Sequence, residues 1–297
     1  MVKLYDGGVY LVNGREIVTD AAALAGKCGR AVTKEEAEQR QKEIDAATAP
    51  ILASVDDSMS DYEVTLSLYE TIIRTTDYDT VGLNRQLRVG TEGTPDDLRS
   101  IYGVFVNKKA VCAGYAKAMQ YLLNRCGIEC AYIMSQTHAW NLVKLEGDYY
   151  HLDATWGDGS NTQKDKHYTD EVMYGCFCIT SEELTRLAEH DPNVPVPKCT
   201  ATKCNYFRRS GLYFDSYDFT KIRAAILRRV SEGAESVPLK FGSEKAYREA
   251  LDSLVYGGKI SEIYRFVSME TGIKIRSSGQ CATDNASRIL TFFPIRG

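Results

Sequence analysis

At Gly127 the hydrophobic pattern of this chain changes its period. From Ala113 to Arg125 the apolar residues Ala116, Met119, Leu122 and Leu123 recur at helical spacing. Gly127 stops that helix, and Ile128 stands where a Schellman motif sets its apolar contact. Beyond it the period is two. IECAYIMS reads as a strand, and HAWNLVKLEGDYYHLDATW reads as a hairpin turning at Glu146-Gly147. A buried helix therefore hands over to paired strands almost at once, and any fold for the chain must satisfy that junction.

The rest of the chain is organised around this segment. Residues 1–50 read as a small appendage: GVYLVNGREIVTD alternates around Asn13-Gly14, a pair suited to a tight type I′ turn. Thr33-Lys34-Glu35-Glu36 is a capping box opening a charged helix, with Pro50 near its end. Residues 51–204 form the core. Ser60-Asp61-Tyr62-Glu63 starts a helix whose inner face is expected at Leu66, Tyr69, Ile72 and Ile73. Thr94-Pro95-Asp96-Asp97 is a further helix start, and Thr180-Ser181-Glu182-Glu183 caps a short one. Residues 205–297 read as a separate α+β unit. Its helix is expected over Phe219–Val230, and VPLKF follows as a strand. A helix after Ser243 stops at Gly257-Gly258, with late strands near IKIRSS and RILTFFP.

Composition narrows the function classes. The 297 residues are 44% hydrophobic and 26% charged, as in an ordinary globular protein with a substantial core. A net charge of -4 argues against a nucleic-acid surface, which needs a basic excess. No apolar run is long enough to span a bilayer, and MVKLYDGGVYLVNG lacks the basic-then-apolar pattern of a signal peptide. As written, the chain reads as cytoplasmic; one trimmed of its leader would be exported and look the same. Nine cysteines, mostly single and in apolar stretches, suit a reducing compartment. Cys176 and Cys178, in YGCFCIT, look like one face of a strand. With Cys199 and Cys204 they do not give a usual zinc spacing, and no metal site is expected. A Cys199–Cys204 disulfide becomes plausible only on export. No calcium loop and no phosphate-binding glycine loop is present.

Chemistry concentrates near the period change. Cys112, in VCAGYA, lies at the N-terminal end of the buried helix, where unpaired N–H groups and the helix dipole favour a thiolate. A free cysteine is more often an inert core residue, so an imidazole and an orienting acid must accompany it. The chain has four histidines. If Leu145 pairs with Asp148, Trp140 falls opposite Asp153 and His138 opposite Thr155. His138 and Asp153 are then diagonal neighbours on one face. His151 shares that face and is the rival base, whereas His167 and His190 lie in polar stretches. Gly114 permits close packing of the helix start.

VCAGYAKAMQYLLNRCGIECAYIMS followed by THAWNLVKLEGDYYHLDATWGD resembles the transglutaminase-like superfamily of bacterial proteins, over roughly residues 60–190. The blocks VC-x-GYA, HAWN and D-x-TW-x-D stand in the family's order and spacing, and TTDYD and YGCFCITSEEL resemble its flanking elements. The resemblance implies a papain-like α+β fold with the cysteine helix packed on an antiparallel sheet. It implies Cys112 as nucleophile, His138 as general base and then acid, and Asp153 as the orienting acid, with no cofactor. Trp140 and Trp156 either wall the cleft or belong to the core. The backbone N–H of Cys112 is one oxyanion donor, and the hydroxyl of Tyr102 is the candidate second. The expected reaction is thiol acyl transfer on peptide or protein amides. Water as acceptor gives a peptidase or amidase, and a lysine amine gives a crosslinking transglutaminase. A peptide N-glycanase is disfavoured, since no paired CxxC zinc module is seen. The rival from another class is a non-catalytic module presenting a groove to peptide or glycan.

Overall fold

The computed structural model describes the backbone of 9–12 and 15–18, and residues 33–89, 96–159, 172–187, 192, 195–276, 280–295 and 297. Helix and sheet are mixed in two units: Met1–Ser181 with His190–Ala201, and Glu182–Glu189 with Thr202–Gly297.

The first unit opens with an antiparallel hairpin, β1 (Val9–Val12) and β2 (Arg15–Val18), with Val12 opposite Arg15. Asn13 and Gly14, expected to make its turn, lie outside the described residues. Helix α1 (Lys34–Ala53) begins where the Thr33 side chain accepts the Glu36 N–H at 3.2 Å. Helix α2 (Asp61–Thr75) has a complete capping box: Ser60 N–H donates to Glu63 Oε2 at 2.8 Å, and Glu63 N–H to Ser60 Oγ at 3.3 Å. Its buried stripe is centred on Leu68, Tyr69 and Ile72, while Leu66 is only half-buried. Residues two apart on a helix point nearly opposite ways, so Leu68 displaces Leu66 from the core. Strand β3 (Asp77–Tyr78) runs parallel to β4 (Lys109–Ala110), with Tyr78 opposite Ala110. Helix α3 (Thr80–Val89) follows β3. Thr94 and Pro95 are outside the described residues, and a short turn, Asp97–Arg99, and a wider helical segment, Gly103–Asn107, follow them.

Helix α4 (Cys112–Arg125) ends in the expected Schellman motif. Ile128 N–H reaches Leu123 O at 2.9 Å and Gly127 N–H reaches Asn124 O at 3.2 Å. Strands β5 (Cys130–Met134), β6 (Ala139–Leu145) and β7 (Asp148–Leu152) make an antiparallel sheet in that order. Leu145 pairs with Asp148, and Glu146 and Gly147 both have positive φ, 50° and 87°, as a type I′ turn demands. The expected register holds as far as Asn141 opposite Leu152, and the chain leaves the ladder before the expected Trp140–Asp153 and His138–Thr155 pairs, because Asp153 turns into a helix start. Helix α4 packs on the sheet face that carries Asn141, whose Nδ2 donates to Ala116 O at 2.8 Å. Beyond β7 comes a single turn, α5 (Ala154–Gly157).

The CxC segment is not a strand. Phe177 N–H turns back to Tyr174 O at 3.1 Å and Cys178 is left-handed at φ 54°, so only Ile179 bridges to the sheet, at His151. All eight described cysteines, Cys199 and Cys204 included, are free thiols. No helix among the described residues is long and apolar enough to cross a membrane.

Helix α6 (Ser181–Leu187) starts at the end of the first unit, and its remainder belongs to the second. There α7 (Tyr206–Arg209) precedes β8 (Tyr213–Phe214), α8 (Phe219–Ser231) and β9 (Val237–Phe241). Helices α9 (Glu244–Ala250) and α10 (Ile260–Thr271) and strands β10 (Gln280–Asp284) and β11 (Ile289–Phe293) complete it. The sheet order is β10-β11-β9-β8, with β8 parallel to β9. Among the described residues of IKIRSS, 273–276, no strand of this sheet forms. Arg276 N–H bonds to Ile295 O at 2.9 Å, and β10 instead takes the place beside β11. Inside this unit Lys240 is buried, its ammonium 2.9 Å from Glu183 and donating to Ser287 O at 3.2 Å.

Candidate active site

Cys112 is the first residue of α4, and no side-chain cap and no acidic residue occupies that helix start. The positive end of the helix dipole therefore faces the partly exposed sulfur with no acidic side chain in the first turn to offset it. The approach to it is tight. A Cβ on Gly114 would stand 2.7 Å from Ala110 Cβ and 2.9 Å from Leu98 O, while Val111 N–H donates to Leu98 O at 2.9 Å. Glycine lets the helix start lie flush on that segment, as the sequence suggests.

His138 sits just before β6, in a turn knotted by Ser135. Ser135 N–H donates to His138 O at 2.9 Å, and His138 N–H to Ser135 Oγ at 3.1 Å. Its ring Nε2 is 2.6 Å from Asp153 Oδ2, with the two side chains 9% and 3% exposed. Cys112 lies close enough to the same ring to act on its charge. Because Nε2 faces Asp153, Nδ1 is the nitrogen left for the thiol. Burial disfavours the charged ring, but the Asp153 charge and hydrogen bond, reinforced by Cys112, outweigh it and raise His138 to about 10. The other Asp153 oxygen, Oδ1, accepts the Trp156 N–H at 3.1 Å and so caps α5.

The two tryptophans separate. Trp140 is 1% exposed and stacks with the His138 ring, at 6.1 Å between centroids and 12° between planes. It is a buried support, and the cleft-wall alternative does not fit that burial. Trp156 is half-exposed and lies 5.3 Å from the His138 ring. His151 is not a competing base. Its Nδ1 accepts the Trp140 indole N–H at 3.1 Å, which leaves Nε2 protonated and donating to Ser181 Oγ at 3.0 Å. Burial pushes its pKa down to about 4.

Tyr102 does not serve as the oxyanion donor. Its hydroxyl donates to Glu43 on α1, and the Arg40 guanidinium lies 3.7 Å over its ring. Tyr78, on β3, stands opposite Ala110, two residues before Cys112. The signal for it was the segment TTDYD, legible as a flanking element. His167 and His190 lie outside the described residues, and among those described no three His, Cys, Asp or Glu side chains gather as a metal site would require.

Residues 51–154, which hold Cys112, His138 and Asp153, match the profile of the transglutaminase-like superfamily. This segment is similar to that superfamily over about a third of the chain. One similar solved structure, described as that of a TGase, aligns over 42% of this chain at 16% identity with a TM-score of 0.33. The chain spans about a third of that protein, 33% of its length. No curated protein matches the chain. Outside the matched residues lie β1, β2, all but the last turn of α1, the first unit beyond residue 154 and the whole second unit.

Proposed function

We propose that this protein is a cysteine enzyme that cleaves peptide or protein amides by acyl transfer, with water as the acceptor. What supports the reading is the His138 ring, 2.6 Å from Asp153 and close to the cysteine at a helix start without a side-chain cap. His138 takes the Cys112 proton. The thiolate attacks the amide carbonyl, a C–S bond forms, and the carbonyl π electrons move to oxygen. As they return, the C–N bond breaks and the departing nitrogen takes the proton from His138, leaving a thioester. A ring held cationic toward pH 10 keeps that proton available to the leaving amine. Water then gives a proton to His138 and its oxygen to the acyl carbon, and the C–S bond breaks. Asp153 holds the ring in place and stabilises the imidazolium throughout. The partial exposure of Cys112 supports water as the acceptor, because water is in excess at any site that does not exclude it.

The test is incubation of dimethylcasein and of glutamine-rich peptides in H2(18)O, with and without methylamine, followed by mass spectrometry. New carboxylates carrying 18O, absent in Cys112→Ala, support hydrolysis. Methylamide products in place of acids would mean the thioester is passed to amines, as in crosslinking. No product, with peptide binding equal in wild type and Cys112→Ala, would overturn catalysis in favour of a binding module.

A further inference from the structure

We propose that His151 is a positioning residue: its ring fixes the plane of Trp140, and Trp140 fixes the plane of the His138 ring. The proposal rests on the thiol acyl-transfer reading and adds to it the support that holds the base. The contacts form one chain. His138, just before β6, and Trp140, on it, have rings nearly parallel, at 12°. Trp140 is fully buried, and its indole N–H donates to His151 Nδ1 at 3.1 Å. His151 is held in turn. Its backbone N–H donates to Ile179 O at 3.0 Å, and its backbone O accepts from Ile179 N–H at 2.9 Å. Its Nε2 lies 3.0 Å from Ser181 Oγ, which also accepts the Cys199 N–H at 2.9 Å. Ser181 N–H donates back to Cys199 O at 2.9 Å, so the far end of the chain is tied down as well.

The base needs such a support. Asp153 grips the His138 ring at Nε2 alone, and a ring held at one nitrogen can still tilt about that bond. Flanking ring planes set the tilt. Trp156 is half-exposed and inclined by 32°, whereas Trp140 is parallel and buried. Inside the core the indole N–H has no water to turn to, and leaving it unpaired costs about 1–3 kcal/mol. The indole plane therefore goes where the acceptor stands, and the acceptor is His151 Nδ1. An apolar side chain at 151 could fill the space but could not hold that plane. Only a neutral imidazole accepts at Nδ1, and burial keeps this one neutral. Proton transfer between a thiol and a base demands angular precision, and precision comes from side chains locked by packing and by hydrogen bonds behind them.

The experiment is a double-mutant cycle in the full-length protein. Wild type, His151→Leu, His151→Asn, Trp140→Phe and the Trp140→Phe/His151→Leu pair are compared. Acylation of Cys112 by p-nitrophenyl acetate and the pH profile of its alkylation by iodoacetamide are read by peptide mass spectrometry, beside urea midpoints. His151→Leu should slow acylation at least about tenfold and move the alkylation profile toward that of a free thiol, about pH 8.5. Asn places an oxygen where Nδ1 stands, so His151→Asn should recover acylation to within about threefold of wild type. Trp140→Phe keeps an aromatic face but has no N–H to hold. It should itself acylate at least about fivefold more slowly, and adding His151→Leu to it should cost less than about twofold more. That comparison decides the matter even if His151→Leu alone does not fold, because Trp140→Phe at the wild-type rate overturns the proposal. So does a His151→Leu protein with a lower urea midpoint but wild-type acylation and alkylation profile, whose histidine is merely structural. So does an equal loss with and without the indole, which would mean that His151 does not act through Trp140. In each of these cases acyl transfer by Cys112 still stands. If wild-type Cys112 is alkylated but never acylated, the acyl-transfer reading itself falls and takes the His151 role with it.

Discussion

The reactive pair is set by two side chains with different duties. In the proposed mechanism His138 supplies the counter-charge for the Cys112 sulfur, and Asp153, 2.6 Å from that ring, also caps a helix turn. Replacing His138 by Ala should slow iodoacetamide alkylation of Cys112 at pH 7 at least about tenfold, since the thiolate loses its imidazolium partner. An unchanged rate, read beside the other cysteines, would show that the helix start alone activates the sulfur. The two substitutions at Asp153 should part company. Asp153→Asn retains an N-cap acceptor but leaves the buried His138 ring without its counter-charge, so it should be less stable than wild type and lose turnover. Asp153→Ala also loses the cap and should be less stable than the Asn variant by about 1 kcal/mol in urea titrations. Equal stabilities would mean the cap contributes nothing.

At the scale of elements, the site depends on how closely the start of α4 lies on the segment before it. Gly114→Ala would put a methyl 2.7 Å from Ala110 Cβ and 2.9 Å from a backbone oxygen that cannot swing away. The expected loss is about 1–3 kcal/mol, with activity falling more than the folded fraction does. Full activity at native stability would show the contact to be soft. Much of this layout was legible beforehand. The Glu146-Gly147 pair fixes the hairpin parity, and parity fixes which side chains share a face, so His138 and Asp153 could be paired from counting alone. What stayed illegible depends on contacts far apart in sequence. YGCFCIT alternates like a strand, yet the Cys178 turn was invisible to a period-two reading. Tyr102 sits nearer to Cys112 in sequence than Tyr78 does, but Glu43 on α1 claims its hydroxyl. Parallel pairing of β3 with β4 brings up Tyr78 from farther away. Two-residue strands carry no periodicity to detect.

For the molecule as a whole, two buried histidines tilt stability in opposite directions. His138 is raised from 6.5 to about 10, so the folded state binds the extra proton between those values. Its contribution is complete below 6.5 and is lost as pH rises toward 10. His151 is lowered from 6.5 to about 4, so there the unfolded state binds the extra proton and stability falls as pH drops through that window. Together they give a maximum near pH 6.5. Urea midpoints at pH 4.5, 6.5 and 9 should describe that dome, and His138→Gln should flatten its alkaline side. A wild-type midpoint that stays level from pH 6.5 to 9 would contradict the expectation for His138.

The double duty of Asp153 also bears on mutational drift. Cys112 caps nothing, so a lineage released from selection for turnover can exchange it at little cost to folding. Asp153 cannot be surrendered so freely, because one of its oxygens ends a strand and begins a helix. Descendants that abandon chemistry should therefore shed the sulfur first and keep the acid long afterwards. A fossil site of this lineage would be recognised by an aspartate still in place with no nucleophile to serve.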